Sequence, residues 1–263
     1  MKLLLFCLLV ISQSAFGAQS QRSANLLAIG QGVSSPSTTT TVNFSSGYTS
    51  ESPLGTLYQN GSRVTGEYDR NDSSDAVGAE IGYGKDTWGI AAGYRKPNCA
   101  NCDGSAAGDL GIDVGNIGVG IRFGKDLYAA GILFNPQGTH RFGLMGEINQ
   151  SSNSASKLSA YGVGYSYVAQ QVTFTIDASG RSFDDKTIDD KRILVTPGVM
   201  LRADIVQLTL NDRITLNHDQ NNAAQTGSDN ELWFGIGIGG DKAHLAVYSH
   251  YFNDLAIAGS FFF

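Results

Sequence analysis

Between Arg63 and Phe263, apolar side chains return at every second position in a series of short segments. Val64, Gly66 and Tyr68 are followed by Val77, Ala79, Ile81 and Tyr83, and then by Trp88, Ile90, Ala92 and Tyr94. Later sets are Tyr128, Ala130, Ile132 and Phe134, then Tyr161, Val163, Tyr165 and Tyr167, then Val172, Phe174, Ile176 and Ala178. Ile193, Val195, Pro197, Val199 and Leu201 continue the pattern, as do Leu232, Phe234, Ile236 and Ile238. The intervening positions carry Gly, Ser, Thr, Asn and charge. A period of two marks a strand with one apolar and one polar face. Aromatic members sit near segment ends, where a strand crossing a bilayer meets the interfaces. Tight turns expected at Lys85-Asp86, Lys125-Asp126, Ala169-Gln170, Ala203-Asp204 and Gly240-Asp241 alternate with longer polar stretches such as Asp69 to Asp75, Pro97 to Asp109, Asp184 to Lys191 and His218 to Asp229.

Two stretches break the phase. From Leu110 to Phe123 the apolar set steps from Ile112 and Val114 to Ile117, Val119, Ile121 and Phe123, an odd shift that predicts one strand with a bulge near Gly115-Asn116. Within Asn135 to Ser156, His140 to Ile148 can form a strand, but counting it disturbs the alternation of tight and long connections, so it is assigned to loop or strand extension. Asp212 falls on the apolar face beside Leu210 and Ile214 and is expected either near a rim or turned inward by a bulge. About twelve strands result, an even number that returns both chain ends to the periplasmic side. The expected fold is all-β, a transmembrane antiparallel meander barrel over residues 62–263.

The opposite strand faces then line a lumen. They carry Arg63, Glu67, Glu80, Arg95, Arg122, Asp177, Arg181, Arg213, His244 and His250 among small residues. Charges of both signs either pair into a network that rigidifies the barrel or line a polar path, where an anion would meet Arg95, Arg122, Arg181 and Arg213. Gly78, Gly82, Gly84, Gly89, Gly93, Gly118, Gly120, Gly235 and Gly237 share this face. Strand glycine weakens a sheet unless something approaches the backbone closely, so a bare wall leaves room for water or an inserted segment.

Residues 1–17 change the compartment. Met1-Lys2, the apolar run Leu3 to Ile11 and a small-residue end at Gly17 read as a secretory signal peptide of the Sec type, with a run too short to span a bilayer. Residues 18–61 show no sustained period and are either a periplasmic tail or a plug in the barrel mouth. A mean hydropathy of -0.11 fits a soluble protein and a polar-lumen barrel equally well. The formal charge of -6 lacks the basic surface that nucleic acid requires. Cys7 leaves with the signal peptide, and Cys99 and Cys102 in an exported chain favour a local disulfide over a redox pair. No second Cys or His pair accompanies them, so neither metal nor cofactor is expected.

The closing residues Leu255-Ala-Ile-Ala-Gly-Ser-Phe-Phe-Phe263 resemble the terminal strand of bacterial outer-membrane β-barrel proteins. That resemblance implies insertion into the outer membrane of a Gram-negative bacterium from the periplasm. Phe261 and Phe263 would then be the signal read by the barrel-assembly machinery, with periplasmic chaperones and outer-membrane lipid as further partners. A second stretch, Ala28-Ile29-Gly30-Gln31-Gly32-Val33-Ser34-Ser35-Pro36-Ser37 with Val42-Asn43-Phe44, looks like the start of the fatty-acid-transporter-like (FadL-like) outer-membrane proteins. Those have an N-terminal hatch inside a fourteen-stranded barrel and pass hydrophobic compounds. Here Phe44-Ser45-Ser46-Gly47 follows Asn43, in place of that family's Asn-Pro-Ala-Gly.

A barrel hydrolase needs Ser, His and an orienting group on one face. Ser249 and His250 are adjacent in a strand and point to opposite faces, and His140 has no evident Ser partner. Asp184, Asp185, Asp189, Asp190, His218 and Asp219 read as solvated acidic loops. No enzyme and no catalytic residue is expected. The expected function is a passive channel or transporter for a small solute, hydrophobic compounds included; the alternative is a non-conducting structural or adhesive barrel.

Overall fold

The computed structural model describes residues 60–70, 75–85, 88–98, 104–125, 127–135, 138–150, 157–169, 171–184, 189–221, 223–224, 230–239, 243–250 and 254–263. These form β1 (Asn60–Arg70), β2 (Asp75–Lys85), β3 (Trp88–Pro97), β4 (Ser105–Val114), β5 (Ile117–Gly124), β6 (Leu127–Phe134), β7 (His140–Gln150) and β8 (Lys157–Val168). They continue as β9 (Val172–Asp184), β10 (Asp189–Ala203), β11 (Val206–Gln220), β12 (Ala223–Ala224), β13 (Asn230–Gly239), β14 (Ala243–His250) and β15 (Asp254–Phe262). The two-residue β12 only extends β11, pairing with Asp219 and Gln220. Fourteen strands of eight or more residues remain among the described residues. Each is antiparallel to the next, and β15 returns to β1 from Arg63–Phe262 to Arg70–Leu255. The closing pair is secured at its end by Phe263, whose N–H donates to the Ser62 carbonyl at 2.9 Å while the Ser62 N–H donates back at 3.1 Å. Among the described residues each of the fourteen long strands is paired on both sides, so the sheet closes on itself.

The meander barrel expected from the pattern is present, and its count is corrected from about twelve to fourteen. The predicted bulge at Gly115-Asn116 is a two-residue hairpin in which Val114 pairs with Ile117. His140 to Gln150 is a full strand, held to β6 and β8 on either side. The Lys125-Asp126 turn consequently moves to the end where the longer connections lie. Connections of residues 86–87, 115–116, 135–139, 169–171, 204–205 and 240–242 gather at the end where β1 begins and β15 finishes. Those of 71–74, 98–104, 125–126, 151–156, 185–188, 221–229 and 251–253 gather at the other. Short turns on the side where β1 begins and β15 finishes are the outer-membrane arrangement.

Gly115 has φ +64° and open space around its missing Cβ, so the turn conformation rather than crowding requires glycine. Gly115→Val is expected to destabilise the folded protein by about 1–2 kcal/mol, and Gly115→Asn by less. Urea titration of the refolded variants checks this, and equal losses for Val and Asn would contradict it.

Burial is inverted relative to a water-soluble protein. Six apolar side chains are buried among the described residues, against seventeen polar or charged ones. Ile81, Ile90, Ile121, Leu144, Val163, Ile176, Leu208, Ile236 and Leu245 are exposed instead, and nearly all of these are the outward positions read from the sequence. An exposed apolar surface that continues strand after strand is a bilayer-facing band. Aromatics border it on both sides. Tyr83, Trp88, Phe134, Phe142, Tyr167, Phe174 and Phe261 lie toward the short-turn end, and Tyr94, Phe123, Tyr128 and Tyr161 toward the other. Tyr83 and Trp88 face each other across the β2–β3 turn, ring centres 5.7 Å apart.

Candidate functional site

The site is the inner wall. Fourteen strands about 4.8 Å apart, tilted by about 40°, enclose a ring roughly 28 Å across between backbones. That is wider than the eight-stranded barrels whose side chains fill the interior.

Cross-strand pairing sets the inner residues in rows. One row is almost without side chains: Gly61 pairs with Gly84, Gly84 with Gly89, Gly89 with Gly111, Gly111 with Gly120 and Gly120 with Gly131. The expectation of a bare inner wall is met over β1 to β6. Gly84, Gly89, Gly118, Gly120, Gly235 and Gly237 are buried, and Gly78, Gly82 and Gly93 half-buried.

Two residues away runs a charged row. Arg63 pairs with Gly82, Gly82 with Ala91, Ala91 with Asp109, and Asp109 with Arg122. Arg122 pairs with Ala129, Ala129 with Glu147, and Glu147 with Ala160. Ala160 pairs with Arg181, Arg181 with Arg192 and Arg192 with His218. Alanine between the long polar groups gives each room to lie along the wall.

Two bonded centres sit on this row. Arg122 Nε donates to Asp109 Oδ1 at 2.6 Å, both side chains buried. Farther round the ring, Asp190, which has no exposed surface, accepts from Arg192 Nε and Nη2 at 3.0 Å each. Its Oδ2 lies 3.2 Å from His218 Nε2. A paired fork of this kind holds a planar guanidinium in one orientation. Elsewhere on the wall, Arg202 Nη2 donates to Thr173 Oγ1 at 3.0 Å and Arg141 Nε to the Gly138 carbonyl at 3.1 Å.

Of the residues assigned to the lumen from sequence, Glu80, Arg122 and Asp177 are buried on the inner face. Glu67, Arg95, Arg181, Arg213 and His250 lie on described strands, with Glu67 and Arg95 both opposite Gly78, while their side chains fall outside the description. Cys99 and Cys102 lie outside the described residues, as do residues 18–59. Phe261 and Phe263 are exposed at the short-turn end.

Asp109, Arg141, Glu147, Asp190, Arg192, Arg202 and His218 were missed. Asp190 and His218, expected in solvated loops, are buried in strands that run beyond the apolar band. The alternation itself could have found Arg192 and Arg202, since each flanks the outward set Ile193 to Leu201 by one position. Asp212 is half-buried opposite Leu232. It lies where the β10–β11 ladder skips from Val195–Ile214 to Gly198–Asn211, past Pro197, which has no N–H to donate. The bulge in this pair is at Ile193/Leu194, so Asp212 is not turned inward by it. His140 is no lumen group: its Nδ1 lies 2.7 Å from the Tyr165 hydroxyl, exposed among the aromatics of the short-turn end.

No protein-family model and no curated protein sequence matches this chain. Solved structures do. A bacterial polysaccharide outer-membrane secretin aligns with a TM-score of 0.50 at 11% identity, over 77% of this chain and 97% of its own. A loop-deletion form of the outer-membrane protein OmpT of Vibrio cholerae aligns at 0.48 and 8%, over 77% and 97%. An anion-selective porin from Comamonas acidovorans aligns at 0.44 and 9%, over 77% and 98%. The chain has the fold of an outer-membrane β-barrel.

Proposed function

We propose that this protein is an integral barrel of the Gram-negative outer membrane, exported by a Sec-type signal, that passes a small solute passively. The observation that carries the reading is the polar, charge-bearing inner wall of a ring too wide for eight-strand-style filling, set behind an outward apolar band. Outer-membrane lipid against that band belongs to the same reading. So does the assembly machinery acting on the strand that ends in Phe261 and Phe263. Fourteen strands is also the number in the fatty-acid-transporter-like barrels, which supports residues 18–59 as a hatch against the bare glycine wall.

The refolded chain of residues 18–263 in a planar bilayer is expected to conduct, and a version lacking residues 18–59 to conduct more. β1 starts at Asn60, so that deletion spares the closing pair. If neither protein conducts, the channel reading fails. The bonded charges of Asp109–Arg122 and Asp190–Arg192–His218 then favour the alternative, a non-conducting structural barrel braced by its internal network.

A further inference from the structure

Asp212 is the misfit of the outer face. It is the seventh of fifteen residues in β11, with Leu208 and Leu210 on one side of it and Ile214 and Leu216 on the other, all turned outward. Among the described residues it is the one charged side chain on that face between the aromatic borders. Lys96, Lys157 and Lys191 also point outward but stand toward strand ends. Hydrocarbon offers a carboxyl no partner, and an ionisable group at such a depth is a sign of function.

Two further observations fall on the same place. β10 and β11 contain no Phe, Tyr or Trp, so both aromatic borders are interrupted there. β4 contains none either, but the rings of Phe123 and Tyr94 from its neighbours lie over Gly108 and Gly104. The β10–β11 ladder also has no pairing between Thr196-Pro197 and Asp212-Arg213, since Pro197 cannot donate. A sector without the residues that anchor strands at lipid interfaces, and with a polar group in mid-band, fits a protein neighbour better than lipid.

We propose that the outer face of β10 and β11 is an interface with a second copy of this chain, in which the two Asp212 carboxyls meet at a two-fold axis along the membrane normal. All copies insert in one direction, so symmetry-related residues share a depth, and a two-fold contact sets a patch against itself. A head-to-tail ring would set Asp212 against a different face, and no described strand carries another outward charge at that depth. A protonated carboxyl donates as well as accepts, so two of them satisfy one another by sharing a proton. Val195, Pro197 and Val199 on β10 and Leu210 and Ile214 on β11 supply the apolar surface around the pair. The proposal requires the membrane barrel and is independent of conduction.

The test is sedimentation equilibrium of the refolded chain of residues 18–263 in density-matched detergent micelles. The wild type is expected to form a dimer. Asp212→Leu should raise the dissociation constant by about ten-fold, and Asp212→Asn, which still donates and accepts, by less. Val199→Trp keeps the carboxyl but sets a large ring on the same face and should also give monomer. Ala92→Leu, outward on β3, should leave the dimer unchanged. Each variant is first checked for the heat-dependent gel migration of a folded barrel, and Val199→Trp carries the test if Asp212→Leu does not fold. A wild type that stays monomeric overturns the proposal and leaves lipid or a different protein on this face. A dimer that persists undiminished in Asp212→Leu or in Val199→Trp overturns it as well.

Discussion

An arginine in place of Ile176 is expected to destabilise the folded barrel in a bilayer by about 2–4 kcal/mol. Ile176 is 52% exposed near the middle of the apolar band, with Tyr165 and Pro197 opposite it on the neighbouring strands. On a water-facing surface the same exchange would stay within about 0.5 kcal/mol. The larger loss arises only where an unpaired guanidinium must sit in hydrocarbon. The effect should also depend on depth: Leu216→Arg, near the end of β11 and more accessible still at 63%, is expected to cost about 0–1 kcal/mol. Urea titration of both variants in liposomes measures the difference. Equal and small losses would remove the bilayer from around this face.

Asp190→Ala should be the most damaging change in the lumen, at about 3–5 kcal/mol. The carboxylate is fully buried and takes two hydrogen bonds from Arg192 and one contact from His218. Its loss leaves a buried guanidinium without its main counter-charge. The centre also joins β10 to β11 just beyond the register shift at Ile193/Leu194, where the ladder itself is irregular. Replacing both members, Asp190→Leu with Arg192→Met, is expected to cost less than Asp190→Ala alone, because no charge is then stranded. A double variant worse than the single would show that the pair itself, rather than its neutralisation, supports the barrel.

The places where the pattern misled are physically related. A two-residue hairpin pairs residue i with i+3, so Val114 and Ile117 share a face; a bulge shifts the phase by an odd step as well. Periodicity alone cannot separate the two. His140 to Gln150 alternates as well as its neighbours, with Phe142, Leu144 and Ile148 outward, and only the expected alternation of tight and long connections speaks against it. One strand was lost at each place, so the even count survived and concealed both.

What the amino-acid order determined by itself was the face of each strand, the position of the aromatic borders and the all-β membrane-barrel class, since the pleat sends successive side chains to opposite sides whatever the partner strand. The tertiary structure decided how many strands there are and which inner groups meet. Asp190 reaches His218 across 28 positions of sequence, and Asp109 reaches Arg122 across a hairpin that the pattern had read as a bulge. Those contacts depend on register between strands, and register is set by hydrogen bonds along whole strand pairs and by ring closure, not by the residues nearby in the chain.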